Sequence, residues 1–151
     1  MAHQPQIILI VDDDQTNLKM LAKVLQRHYR VCAAHSGAAA LEILKREDVS
    51  VLISDQCMPG MLGTELLSRA HTINPDMVCL LMTGSNDAEV YVEALTRSGA
   101  VRVIKKPWDP DKLTSAVQTL VEKYEKLRRQ KESMKMLQQA NKTLDKIANR
   151  E

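Results

Sequence analysis

The sequence predicts an α/β protein with a doubly wound parallel sheet, on three observations. Five short apolar runs recur along the first two thirds of the chain, Ile7 to Val11, Tyr29 to Ala34, Val51 to Ile53, Met77 to Met82 and Val101 to Ile104. Between them lie stretches whose apolar residues repeat at helical spacing, the alternation expected of strands covered by helices on both faces. Three of the runs stop at residues that carry chemistry, Asp12 to Asp14, Asp55, and Lys105-Lys106, where the carboxyl ends of parallel strands open onto a crevice.

Each element follows from its own residues. Ile7-Ile8-Leu9-Ile10-Val11 is a continuous apolar run and reads as a buried first strand. Asp14 is a candidate N-cap for a helix from Gln15 to Arg27, with Leu18, Leu21, Val24 and Leu25 inward. A second strand over Tyr29 to Ala34 leads through Gly37 into a helix that points Ala38, Leu41, Ile43 and Leu44 inward, with Asp48 and Ser50 closing it. Val51-Leu52-Ile53 forms the third strand and ends in Asp55, with the turn formers Pro59, Gly60 and Gly63 just beyond. A third helix buries Leu66, Leu67 and Ala70 and stops at Asn74-Pro75. Met77 to Met82 is a fourth strand that stops at Thr83-Gly84; a helix through Ala88, Val90, Val92, Ala94 and Leu95 reaches Ser98-Gly99. The fifth strand, Val101 to Ile104, terminates in Lys105-Lys106-Pro107-Trp108, and Trp108 is expected to pack against the sheet edge.

Composition narrows the function. With 44% hydrophobic residues the chain can build a proper core, yet aromatics are 3% and phenylalanine is absent, which argues against stacking platforms for single-stranded nucleic acid. Residues 1–121 carry 12 basic and 14 acidic side chains, residues 122–151 carry 9 and 5, so a mildly acidic body bears a basic tail. Charges spread along every face of that tail argue for a solvated surface over a nucleic-acid contact. Cys32, Cys57 and Cys79 lack metal-ligand spacing and are expected to be buried free thiols in a reducing cytoplasm. No apolar stretch has the length of a membrane span.

In a doubly wound sheet Asp12, Asp13, Asp55, Thr83 and Lys106 emerge on one rim. Two or three carboxylates suit a hard divalent ion such as Mg²⁺, which bridges to phosphate oxygens, and a hydroxyl and an ammonium can hold the remaining oxygens. An acidic helix cap or a turn aspartate would account for one of these carboxylates but not for the set. No glycine-rich phosphate loop follows the first strand, which disfavours a nucleotide.

Val11-Asp12-Asp13, Asp55-x-x-Met58-Pro59 with Gly63, Thr83-Gly84 and Lys106-Pro107, in this order, resemble the receiver domain of two-component response regulators over about residues 6–121. The resemblance implies a flavodoxin-like strand order 2-1-3-4-5, with residues 1–121 as the receiver and residues 122–151 as an extended coiled-coil helix leading to an effector. It implies that Asp55 takes a phosphoryl group from a phosphohistidine of a kinase or phosphotransfer protein. Asp13, Asp55 and the backbone carbonyl of Cys57 would bind Mg²⁺, with Asp12 helping through water. Lys106 would pair with phosphoryl oxygens, Thr83 would hydrogen-bond them, and the bond before Pro107 would be cis. The family usually has Tyr or Phe three residues before the lysine, where this chain has Val103, so its usual aromatic switch cannot operate. The wording around these motifs is most similar to receivers attached to cyclic-di-GMP enzymes or hydrogenase-type transcriptional regulators. A metal-dependent phosphohydrolase is the rival from another class, but it needs an aspartate two residues beyond the nucleophile, where Cys57 stands. A dimerisation module with an inactive acidic site is the third reading.

The tail carries its own pattern. Leu113, Val117, Leu120, Tyr124, Leu127 and Met134 keep 4-3 spacing with a polar break at Lys131; Leu137, Asn141, Leu144 and Ala148 resume it after a shorter step. A helix of about 40 residues spans about 60 Å, so its far half cannot pack on its own domain. A parallel two-stranded coiled coil is expected, with Asn141 fixing register. The segment Leu144 to Glu151 resembles the connector that enters a diguanylate cyclase (GGDEF) domain.

Overall fold

A computed structural model describes residues 6–84, 89, 92–93, 96 and 100–150. The strands are β1 (Ile7–Val11), β2 (Arg30–Ala34), β3 (Val49–Asp55), β4 (Val78–Thr83) and β5 (Ala100–Lys105), and the helices are α1 (Gln15–Leu25), α2 (Gly37–Arg46), α3 (Gly63–Ile73) and α4 (Pro110–Ala148). All the strands pair in parallel in the order β2-β1-β3-β4-β5. The helix expected between Ala88 and Gly99 lies outside the described residues, apart from isolated positions.

Successive strand residues point to opposite faces, so the sheet feeds two cores. Ile8, Ile10, Val51, Ile53, Leu80 and Met82 meet Leu18, Leu21 and Leu25 of α1 and Leu113, Val117, Leu120 and Tyr124 of α4. Leu9, Val11, Leu52, Cys79 and Leu81 meet Ala40 and Leu44 of α2 and Leu66, Leu67 and Ala70 of α3. Trp108 packs against the α1/α4 side, as its apolar ring predicts.

Local chemistry sets the ends. Asp14 caps α1 by accepting from the amides of Thr16 and Asn17, and Ser36 caps α2 through Ala39. Asp109 caps α4, where Pro110 occupies a position whose missing N–H costs nothing. Four expectations are corrected. Helix α1 stops at Leu25 and leaves Arg27 outside it, because the amides of His28 and Tyr29 turn back onto the Leu25 carbonyl. Ala38 is exposed, since Gly37, Ala40 and Leu44 form the inward stripe of α2. Ser50 lies inside β3 rather than closing α2; its hydroxyl is satisfied by the Gln6 side chain, so a polar residue can sit in a buried strand. Of the cysteines only Cys79 is buried, Cys32 is half-buried and Cys57 is exposed, because it falls in the turn beyond β3.

Candidate functional site

The first carboxylates stand where β1 leaves the sheet. Asp12 is 1% exposed and fully engaged: Oδ1 accepts from the Asp14 amide at 2.9 Å, and Oδ2 accepts from Asn17 Nδ2 at 3.3 Å and Lys106 Nζ at 3.4 Å. Asp13 beside it is exposed. Asp55, the last residue of β3, is 7% exposed, and its Oδ1 lies 2.9 Å from Lys106 Nζ. Carboxylate oxygens of Asp12, Asp13 and Asp55 all lie within 4.8 Å of one another.

Lys106 therefore bridges two buried carboxylates while a third stands beside them. One ammonium against three carboxylates leaves an excess of negative charge, which oxygen-seeking divalent cations offset. Burial pushes the Asp55 carboxyl above the usual range, and the repulsion of Asp12 adds to this, against the hydrogen bond and positive charge of Lys106. Burial alone would lower the Lys106 ammonium, but its hydrogen bond to Asp55 and the charges of Asp55 and Asp12 prevail and hold it above the ordinary lysine value.

Thr83 closes β4 on the same rim and is buried; its carbonyl accepts from the Lys106 amide at 2.8 Å, which ties the ends of β4 and β5 together. The Lys106-Pro107 bond is cis. Cys57 follows Asp55 by two residues on the same rim. Val103, in place of an aromatic, is half-buried against the α2/α3 core.

The turn from β3 into α3 explains the motif around Asp55. A Cβ on Gly63 would fall 2.3 Å from the Asp55 carbonyl oxygen and 2.7 Å from Leu81 Cδ1, so only glycine lets α3 start against the strand end. Gly60 turns the chain at φ +81°, a conformation that suits glycine. Met58, two residues before Gly60, is a core residue of the α2/α3 side.

Two residues enter the site without having been singled out in the sequence. Gln56 is buried; its Oε1 accepts from the Thr64 amide at 2.9 Å and its Nε2 donates to Thr64 Oγ1 at 3.3 Å. Its backbone donates to the Met82 carbonyl and accepts from the Gly63 amide, both at 2.9 Å. Gln56 thus locks the loop that carries Asp55 to β4 and α3. Asn17 braces Asp12 from the first turn of α1. The available signal for Gln56 was its place directly after the strand-end Asp55, and for Asn17 its place one turn beyond the aspartates.

Among the described residues no helix is long and apolar enough to cross a membrane. Residues 8–118 match the family profile of the response regulator receiver domain. The hydrogenase transcriptional regulatory protein HoxA of Cupriavidus necator is 33% identical over 122 residues, covering 81% of this chain and 25% of that protein. The transcriptional regulatory protein GlrR of Escherichia coli is 35% identical over 123 residues, covering 81% of this chain and 28% of that protein. The chain thus spans about a quarter of the length of these curated relatives. Among solved structures, a CheY-like receiver domain from Methanospirillum hungatei superposes with TM-score 0.78 at 32% identity, covering 82% of this chain and 98% of that one. A structure described as an adenylate cyclase from Rhodopirellula baltica gives 0.83 at 32% identity, covering 87% and 98%. Matched motifs, sheet order and the acidic rim with its lysine agree, and the chain belongs to the response regulator receiver domain family.

Proposed function

We propose that Asp55 is the phosphoacceptor of this receiver, and that the helix α4 carries the resulting change to an effector. The observation that carries this reading is the placement of a buried strand-end carboxylate 2.9 Å from Lys106 Nζ and within a cluster of further carboxylates. An oxygen of Asp55 attacks phosphorus in a phosphohistidine of a partner kinase or phosphotransfer protein. A P–O bond forms, the P–N bond breaks, and the leaving imidazole takes up a proton.

Asp12, Asp13, Asp55 and the carbonyl of Cys57 would hold Mg²⁺, which neutralises charge on the phosphoryl oxygens when bound. Lys106 exchanges its contact with Asp55 for a phosphoryl oxygen, and the Thr83 hydroxyl donates to another. Gln56 keeps the loop rigid meanwhile. Because Val103 is aliphatic, the change leaves the site by a route other than aromatic rotation. Receivers are regulatory phosphoacceptors rather than turnover catalysts, and a phosphohydrolase reading lacks its acid at Cys57. Residues 1–121 serve as the receiver and 122–151 as a linker helix that pairs with a second copy.

Incubation with Mg²⁺ and acetyl phosphate, followed by intact mass measurement, tests the assignment. One phosphate is gained by the native chain and none by Asp55→Asn, nor by the native chain in EDTA. Equal gain in Asp55→Asn rejects Asp55 as acceptor.

A further inference from the structure

Helix α4 presents two different faces along its length. Leu113, Ala116, Val117, Leu120, Val121 and Tyr124 are buried on the sheet. The docked part does not end with Tyr124, because Asp76 reaches the helix two turns later. Its Oδ1 and Oδ2 both lie 2.9 Å from Lys131 Nζ, and Oδ2 lies 3.7 Å from the Arg128 guanidinium. Asp76 is itself held in place, since its amide donates to Asn74 Oδ1 and Asn74 Nδ2 donates to the Val49 carbonyl. Lys131, which breaks the apolar stripe, is thereby explained: it sits on the domain-facing side and is matched by a carboxylate of the domain.

Beyond this clasp every described side chain of α4 is exposed, including Met134, Leu137 and Leu144. At about 100° per residue, Met134, Leu137, Asn141, Leu144 and Ala148 centre roughly 110° around the helix from the buried stripe. We propose that a second copy of this chain docks on that face, along a parallel seam that begins at Met134, just past the clasp. The proposal rests on the paired-helix reading above and adds that the domain-docked stripe takes no part in the seam, which starts only past the clasp. Two features favour a second copy as occupant. The stripe alternates 3 and 4 with leucine at one core position, and Asn141 at the other bonds best to its own counterpart. The angular offset also lets each helix keep its own domain and its partner at once. The competing face, Met136, Ala140, Thr143 and Ile147, has small residues at its centre and would leave Leu137 and Leu144 in water.

Disulfide trapping tests the seam in the full chain carrying Cys57→Ser, which removes the exposed thiol. Single cysteines are placed at Leu144 on the seam, Asp145 on the continued domain-facing register and Ile147 on the competing face, then oxidised at micromolar concentration. Leu144→Cys is expected to form a cross-linked dimer at least about fivefold faster than the other two, as facing core positions do. Preferential trapping through Asp145→Cys or Ile147→Cys in a chain that sediments as a dimer overturns the seam and leaves pairing intact. A monomer in sedimentation overturns pairing itself.

Discussion

At the scale of single residues, the site is governed by how one ammonium is shared among carboxylates. Burial raises Asp55 above the ordinary carboxylate range, so between that range and its folded-state value the native chain holds more protons than the unfolded one. Stability from this group is therefore lost as pH rises through that window, and ionised Asp55 is a burden at neutral pH. The raised Lys106 contributes stability that disappears only at pH above 10.5, outside the window. In EDTA at pH 7, Asp55→Asn is expected to unfold at a higher urea midpoint than the native chain. The gap should close as pH falls toward the usual carboxylate pKa of about 4. A midpoint for Asp55→Asn below the native one at pH 7 would mean that the ion pair with Lys106 outweighs burial. Asp12, Asp13, Asp55, Thr83 and Lys106 were legible in the sequence because each follows an apolar run. Gln56 and Asn17 were not, because their importance lies in partners across a turn, Thr64 and Asp12.

At the scale of elements, the turn from α3 to β4 supplies the ion-pair contact to α4 beyond its buried stripe, through Asp76. An exposed ion pair is worth only about 0.2–1 kcal/mol, but here one carboxylate on an anchored turn serves two cations of one helix. Asp76→Ala should leave the sheet intact and speed hydrogen exchange of helix amides over residues 125–131 by roughly two- to fivefold, the range that such an energy allows. High salt should do the same to the native chain and nothing further to Asp76→Ala. Unchanged exchange in both would show the clasp to be idle. The exposed Cys57 belongs to this scale as well: it was expected inside because it follows a buried strand, but the turn at Gly60 and Gly63 carries it outward.

Across the whole molecule, the acidic rim and the departing helix lie at opposite ends. Helix α4 starts beside the carboxyl end of β5 and runs back along the sheet; Glu125 meets Gln6 before β1, and Lys131 meets Asp76 before β4. With Asp55 as the proposed phosphoacceptor, its effect on the far half of α4 would have to cross the length of the domain. A chain ending at Lys131 should keep the full-length urea midpoint at concentrations where neither form pairs. One ending at Val121 should lose about 1.5–3 kcal/mol, the worth of burying one large side chain, because Tyr124 is removed. Equal stability of the two truncations would place the functional end of the domain at Val121.

The sequence by itself determined the layered α/β architecture, the rim of chemistry and the uninterrupted last helix, since periodicity and strand-end residues are local properties of the chain. Only the tertiary structure decided that Lys106 spans Asp12 and Asp55, that Gln56 locks the loop, and that Asp76 grips α4 beyond its apolar contact. These depend on distances between residues far apart in sequence, which packing sets and no local pattern encodes.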